Sequence, residues 1–234
     1  FVPVKSAKRQ GVMMLHRTRD LLMRQRTMML NAIRAHLAEF GIITAQGPHK
    51  LAALLDAMRE DGMPGLPDIA HCALESLMAQ LDSLAEEIRT LERRLLAWHR
   101  TDETSQRLET IPGVGLITAT ALSASIPDPS VFKTGRQFAA FLGLVPRQNS
   151  SGGKERLGRI SKMGDGYLRR LLVVGATSVI RRVGTNTSAT GEWVRRLLER
   201  KPARVATVAM ANKNARIAWA VLARGETYRA PALA

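Results

Sequence analysis

A pair of serines followed by two glycines and several cations is the segment of this chain best suited to chemistry. Within Asn149–Gly164, Ser150 and Ser151 precede Gly152-Gly153. Four cations follow them: Lys154, Arg156, Arg159 and Lys162. Glycine allows the backbone to approach a ligand closely, and cations can hold a phosphodiester and stabilise charge as it moves. The chemistry indicated is attack of a serine hydroxyl on a phosphate.

The sequence around these serines lacks a general base. A serine hydroxyl is a poor nucleophile without a base, a metal or neighbouring cations to activate it. All five histidines precede residue 100, and they show no metal-ligand spacing. On residue types alone the segment favours a polar Ser-Gly turn, and a catalytic serine is the alternative.

The net charge of +15 is unevenly distributed. Residues 147–234 hold 18 lysines and arginines against 5 acids, whereas residues 1–146 hold 17 against 15. Arg169 and Arg170 add to this excess just beyond the serine segment. A concentrated basic half predicts a polyanion partner, most often nucleic acid. A basic surface without a specific partner is the alternative.

A second candidate site lies in the glycine-rich turn within Leu108–Leu122. Its residues Pro112, Gly113 and Gly115 have the form of a helix-hairpin-helix turn. The backbone N–H groups of such a turn and the following helix N-terminus can bind a phosphate, without reading base identity. The alternative is a helix junction used only for packing.

The predicted fold class is mainly all-α, because helix formers dominate and aromatic residues make up only 4%. We predict one helix from Ser6 to about Phe40, a connector over residues 41–66 with a short helix at Leu51–Met58, and a long helix from Asp68 to Arg100. Apolar residues of the long helix recur at 3-4 spacing, which is typical of a coiled coil: Leu74, Leu77, Leu81, Leu84, Ile88, Leu91, Leu95 and Trp98.

The predicted domains are a helical, coiled-coil arm at residues 1–104 and a helical C-terminal domain at residues 105–234. The partner of the arm is either the first helix, folded back antiparallel, or a second chain. We favour the intermolecular contact, and therefore a homo-oligomer. In the C-terminal domain we expect Phe132, Phe138, Phe141 and Leu144 in the core, and Lys213 facing outward on a final helix from Pro202 to Val221.

The single cysteine, Cys72, excludes a disulfide within the chain and fits a reducing cytoplasm. No apolar run approaches the roughly 18–20 residues that a membrane span needs. We therefore expect a cytoplasmic, nucleoid-associated protein without a membrane partner.

Several motifs together resemble one family. They are Ile111-Pro-Gly-Val-Gly115, Phe141-Leu-Gly-Leu-Val-Pro146, Ser150-Ser-Gly-Gly153, Arg159-Ile-Ser-Lys-Met-Gly-Asp-Gly-Tyr-Leu-Arg169 and Ala209-Met-Ala-Asn-Lys-Asn-Ala-Arg-Ile-Ala-Trp219. In this order they look like the C-terminal transposase domain of the DEDD-type insertion-sequence transposases, the IS110 group. The resemblance covers essentially the whole chain.

The resemblance implies a DNA transposase with divided labour. In the family a RuvC-like domain binds divalent metal through an acidic tetrad, a coiled-coil arm follows, and a further domain carries a nucleophilic serine. A structured bridge RNA selects donor and target DNA. The family's serine lies five residues after the proline of the Gly-Leu-x-Pro motif. From Pro146 this position is Ser151, with Ser150 as the fallback.

The chain departs from the family in one respect. The acidic domain would lie before Phe1, with residues 1–5 as its tail end, and the first forty residues contain only Asp20 and Glu39 as acids. We expect no metal site or cofactor in this chain and Mg²⁺ in the missing N-terminal domain. Alone, the chain is expected to bind nucleic acid with little or no strand transfer. The alternative is a non-catalytic helix-hairpin-helix fragment that only binds nucleic acid.

Overall fold

The structure, a computed structural model, describes residues 4–60, 62, 65–154, 156–185 and 187–230. Residues 1–3 of the segment 1–5, expected as the tail end of the acidic domain, lie outside them. The described chain contains nine α-helices: α1 (Ala7–Glu39), α2 (Pro48–Glu60), α3 (Asp68–His99), α4 (Glu103–Glu109), α5 (Leu116–Ser125), α6 (Gly135–Phe141), α7 (Gly166–Arg181), α8 (Ala189–Leu198) and α9 (Ala203–Arg224). Two short 3₁₀ helices, Pro129–Val131 and Val183–Thr185, and two strands, β1 (Pro146–Gln148) and β2 (Leu157–Ile160), complete it. The prediction of a mainly helical protein is confirmed.

The chain divides into two compact units. One unit is Met14–Arg94, and the other comprises the segments on either side of it. The predicted boundary after residue 104 lies within the second unit. Among the described helices, none combines the length and the apolar character that crossing a bilayer requires.

In the first unit, α1 and α3 lie antiparallel. Arg19 Nη2 is 2.6 Å from Glu92 Oε1, which joins an early turn of α1 to a late turn of α3. Further along α1, Ile33 and Leu37 share an apolar cluster with Leu74 and Met78 of early α3. The apolar seam of α3 therefore has a packing partner within its own chain, the fold-back arrangement that the sequence left open. A coiled coil between two chains stays a prediction.

In the second unit, α9 anchors the other elements through its side chains. Asn212 Nδ2 donates to the Leu144 carbonyl oxygen at 3.1 Å, which fixes the segment leading into β1. Asn214 Nδ2 donates to the Pro112 oxygen at 2.9 Å, which fixes the turn between α4 and α5. Trp219 Nε1 donates to the Phe132 oxygen at 3.1 Å. One helix thus sets the positions of both segments that the sequence marked as candidate sites.

Two side-chain predictions for this unit were wrong. Phe141, expected in the core, is 46% exposed; it is the last residue of α6, and its ring lies against the rings of Phe132 and Phe138. Lys213, expected to face outward, is half-buried. Its Nζ lies 4.1 Å from the centre of the Trp193 ring, and burial lowers the pKa of its ammonium group.

Candidate functional site

The serine segment forms the tip of a β-hairpin. Strands β1 and β2 pair antiparallel, with Pro146 opposite Ile160 and Gln148 opposite Leu157. Beyond the strands, the Asn149 N–H donates to the Arg156 oxygen at 2.8 Å and the Lys154 N–H donates to the Ser151 oxygen at 3.1 Å. Gly152 and Gly153 close the turn with φ of +56° and +75°, the left-handed region that a two-residue type I′ turn requires.

The pairing of the hairpin places Ser151 directly opposite Lys154. Opposite residues of an antiparallel pair project from the same face, with Cβ atoms about 5 Å apart. Because side chains alternate between faces, Asn149 and Arg156 lie on the same face as Ser151 and Lys154. Each of these residues is exposed. One hydroxyl and two cations are thus presented together to solvent.

The two serines differ in their hydrogen bonds. Ser150 Oγ accepts a hydrogen bond from the Arg156 N–H at 3.0 Å, so its hydroxyl contributes to the hairpin itself. Ser151 Oγ makes no hydrogen bond to any residue that the structure describes. Among those residues, no carboxylate forms an ion pair with Lys154, Arg156, Arg159 or Lys162. The hydroxyl and the cations are therefore available to a ligand.

The base of the hairpin is held by close backbone packing. The Lys162 N–H donates to the Gly143 oxygen at 3.1 Å and the Ser161 N–H to the Val145 oxygen at 2.9 Å. A Cβ on Gly143 would overlap the backbone of Met163, and a Cβ on Gly164 would overlap the Phe141 oxygen. Within the described chain Lys162 is the only non-glycine residue with positive φ, at +57°.

Two arginines that follow the hairpin, Arg169 and Arg170, were predicted to bind nucleic acid. The side chain of Arg169 instead donates hydrogen bonds within the chain. Its Nη1 donates to the Leu142 oxygen at 2.9 Å and to the Met163 oxygen at 3.1 Å. It therefore ties the end of α6 to the segment after β2. Arg170 is exposed, and its guanidinium lies 5.4 Å from the centre of the Tyr167 ring.

The glycine-rich turn joins α4 to α5, and its two glycines have different surroundings. Gly113, with φ +84°, packs on α7: a Cβ there would lie 2.8 Å from both the Gly175 oxygen and Val179 Cγ2. Gly115 is the N-cap of α5, is exposed, and has open space where a Cβ would be. Gly113 thus has a packing role, and the N-terminus of α5 beside Gly115 faces solvent.

The described residues do not supply a metal site. They contain no group of three or more His, Cys, Asp or Glu side chains placed to hold an ion. Asp165, the described acid nearest the hairpin in sequence, caps α7 by accepting hydrogen bonds from the Tyr167 and Leu168 N–H groups. The donor set of this part of the chain does not fit Mg²⁺.

Sequence reasoning missed the hairpin itself and the exposed Phe141. A Gly-Gly pair flanked by polar and β-compatible residues is a type I′ hairpin signal, and Asn149–Lys154 carries it. The exposure of Phe141 has no equivalent signal, because its spacing from Phe138 is that of a buried helical face.

Comparison with known proteins assigns the class of this protein. Residues 105–192 match the family model described as "Transposase IS116/IS110/IS902 family". This region contains the turn, the hairpin and α7. Several proteins that are similar to the chain over nearly its whole length carry transposase names as well.

Three relatives illustrate the similarity. A Pseudomonas aeruginosa protein named "Probable family 20 transposase" is 48% identical over 98% of this chain and 68% of its own length. The transposase for insertion sequence element IS1111A of Coxiella burnetii is 41% identical over 98% and 63%, and that for IS1328 of Yersinia enterocolitica is 40% identical over 97% and 67%. The chain belongs to the IS116/IS110/IS902 transposase family and spans about two thirds of these relatives' length.

Proposed function

We propose that this chain is the serine-bearing portion of a DNA transposase. Family membership supports a role in DNA transposition. The single observation that carries the finer proposal is the face of the hairpin on which Ser151 stands beside Lys154 and Arg156. This face offers a hydroxyl and two cations within reach of one phosphodiester.

In this proposal Ser151 Oγ attacks a DNA phosphorus atom. The Oγ–P bond forms and the bond from phosphorus to one deoxyribose oxygen breaks. Oγ loses its proton, and the departing oxygen gains one as a hydroxyl. The product is a phosphoserine link that conserves the energy of the phosphodiester for rejoining. Lys154 and Arg156 hold the phosphate and offset the charge that develops on its oxygens.

The turn at Gly113–Gly115 serves as a second DNA contact. The exposed N-terminus of α5, with its unpaired backbone N–H groups, attracts a phosphate oxygen without reading the base. Gly113 supports this contact indirectly, since its packing on Gly175 positions the turn. A structured guide RNA is a further partner that the family resemblance implies. The exposed cations Arg159 and Lys162 are available for either polyanion, and Arg170 is expected to contribute its charge from near the start of α7.

Mg²⁺ would supply Lewis-acid activation of the phosphate and would be held by residues other than those described here. Oligomerisation through the α1–α3 arm is also part of the proposal.

Ser151 is tested by covalent trapping. The chain is fused to the portion of the Pseudomonas aeruginosa relative that it does not cover, and the fusion is incubated with nicked DNA and Mg²⁺. Denaturing gels should reveal a protein–DNA adduct in the parent fusion. We expect the adduct to vanish in Ser151→Ala and to persist in Ser150→Ala, which loses only the acceptor for the Arg156 N–H.

The pair of variants discriminates between outcomes. An adduct that survives in Ser151→Ala but disappears in Ser150→Ala would assign the nucleophile to Ser150. An adduct that survives both substitutions, or none in the parent fusion, would overturn the serine mechanism.

A binding module without catalysis is the second candidate function. It is favoured by one observation: no described residue activates Ser151 Oγ, and all five histidines precede residue 100. This function predicts DNA binding that is unchanged in Ser151→Ala and no adduct in any fusion.

A further inference from the structure

We propose that Phe141 and Met163 form an apolar pair that stacks against an unpaired base of DNA bound along the hairpin. This inference rests on the proposed function and adds the form of DNA that the site takes, a strand with exposed bases. The pair consists of two large apolar side chains that the fold leaves in solvent, 46% exposed for Phe141 and 69% exposed for Met163.

The two residues come from segments that are in direct contact. Phe141 ends α6, and Met163 follows β2. Gly164 lies so close to Phe141 that an added Cβ would overlap the Phe141 oxygen, and a Cβ on Gly143 would overlap the backbone of Met163. Arg169 Nη1 binds the Leu142 and Met163 oxygens together, at 2.9 and 3.1 Å. The position of the pair is therefore set by backbone packing.

The ring of Phe141 is supported from one side. Its centroid lies 5.1 Å from that of Phe132 and 6.4 Å from that of Phe138. The planes of the Phe138 and Phe141 rings are inclined to each other by only 20°. An aromatic ring backed by two others keeps its orientation while one side remains open. Such an exposed ring is suited to stacking, because every base has a π-face that can lie on an aromatic side chain.

The charges around the pair select nucleic acid as the occupant. Lys162 immediately precedes Met163, and Arg159 lies on β2; both are exposed. The occupant that fits this surface combines negative charge with flat apolar faces. Single-stranded DNA brings both a phosphate chain and flat bases, and proteins bind it by combining a basic groove with exposed aromatic or apolar side chains.

The spacing suits one continuous strand. Ser151 is six residues from Val145 at the base of the hairpin, which corresponds to roughly 20 Å of extended chain. This distance spans about six stacked nucleotides. A strand that places a phosphate at Ser151 can thus place a base at the apolar pair.

The test separates contacts to bases from contacts to phosphates. Affinity is measured by fluorescence anisotropy for oligothymidine of about 12 nucleotides and for an abasic oligomer of the same length and charge. We expect the wild-type chain to bind oligothymidine about tenfold more tightly, since stacking on a side chain favours a base over its absence. Met163→Ala and Phe141→Leu should each weaken oligothymidine binding about fivefold and leave abasic binding unchanged.

Matched controls distinguish a loss of stacking from a general loss of apolar surface or of stability. Val205→Ala removes an apolar side chain of α9 that is 50% exposed, a value between those of Phe141 and Met163, and should alter neither affinity. Phe141→Leu retains apolar bulk against Phe132 and Phe138, and Met163 is exposed, so both variants should melt within a few degrees of wild type. Phe141→Trp should tighten oligothymidine binding, because the indole offers a larger stacking surface.

Each outcome is decisive. Equal binding of both oligomers by the wild-type chain, or an unchanged ratio in both variants, would overturn the stacking pair while leaving phosphate binding intact. No binding of either oligomer would overturn the proposed function as well. If the two variants lost base-dependent binding of oligouridine but not of oligothymidine, the pair would be assigned to RNA. If they lost binding to anionic vesicles and not to oligothymidine, the pair would be assigned to a membrane. Either result would overturn the proposal for DNA.

Discussion

At the scale of single residues, the hairpin keeps a cation in a conformation that L-residues avoid. Lys162 has φ +57°, in the left-handed region that costs a non-glycine residue about 1–2 kcal/mol. Glycine would relieve this cost, and Gly143 and Gly164 nearby show that the segment already uses glycine where the backbone requires it. We infer that the charge of Lys162 contributes to binding, a role that glycine could not fill.

Replacement of Lys162 separates the conformational cost of its positive φ from the contribution of its charge to DNA binding. We expect Lys162→Gly to be as stable as wild type or more stable by up to about 1 kcal/mol, since relief of strain exceeds the added entropy of the unfolded chain. Affinity for single-stranded DNA should fall, with the slope of log K against log salt smaller in magnitude by about 0.7. Urea unfolding and salt titration measure the two quantities.

The control for this prediction is Lys162→Arg, which preserves the charge and should preserve the slope. If Lys162→Gly bound DNA as wild type does, the side chain would have no role in binding, and the left-handed conformation would be only a structural cost.

At the scale of elements, the turn between α4 and α5 depends on a glycine-to-glycine contact with α7. A Cβ on Gly113 would meet the Gly175 oxygen at 2.8 Å, and a Cβ on Gly175 would overlap the Gly113 oxygen. The contact lets the backbone of the turn lie directly on the helix. Asn214 then fastens the turn to α9 through the Pro112 oxygen.

Alanine substitutions at this contact should destabilise the protein. Gly113→Ala and Gly175→Ala are each expected to lower stability by about 2 kcal/mol or more, because backbone atoms cannot yield as a flexible side chain would. Gly115→Ala, in the same turn but with open space around it, should change stability by less than about 1 kcal/mol. Thermal melts monitored by circular dichroism provide the comparison, and equal Tm values for Gly113→Ala and Gly115→Ala would contradict it.

At the scale of the whole molecule, the charge is concentrated in the half that carries the hairpin. Residues 147–234 hold 18 cations against 5 acids, and the hairpin cations are exposed. In the unit Met14–Arg94, by contrast, cations form ion pairs with acids of the same unit, as in the pairs Arg19–Glu92 and Arg59–Asp82. We infer that polyanion binding resides in the C-terminal half.

Two quadruple variants with the same change in net charge test this inference. Replacing Lys154, Arg156, Arg159 and Lys162 with glutamine should reduce the salt slope for single-stranded DNA by about 3, since each phosphate contact contributes about 0.7. Replacing four exposed cations of the N-terminal part, Arg17, Lys50, Arg94 and Arg100, should reduce it much less. Equal reductions would mean that binding follows net charge and not the hairpin.

Helix content, the long apolar seam and the charge asymmetry followed from the sequence. They depend on local propensity and on spacing along one element, so α1 and α3 were predicted to within one or two residues. The hairpin, the exposed ring of Phe141 and the internal use of Arg169 did not follow. Each depends on which segments meet in space, and residues 141–143 meet residues 162–164 only after α6 and the hairpin have folded against each other.

The sequence by itself determined that this protein is helical, basic in its C-terminal half and similar to transposases. Composition, charge distribution and the order of motifs are properties of the sequence and do not depend on how segments pack. The resemblance named Ser151 as the nucleophile with Ser150 as the fallback, and this assignment stays a prediction. The tertiary structure adds that the two hydroxyls have different surroundings. Across the hairpin the Ser150 hydroxyl accepts a hydrogen bond from the Arg156 N–H, and Ser151 lies opposite Lys154. These contacts depend on the register between two strands, which the sequence of either strand alone does not specify.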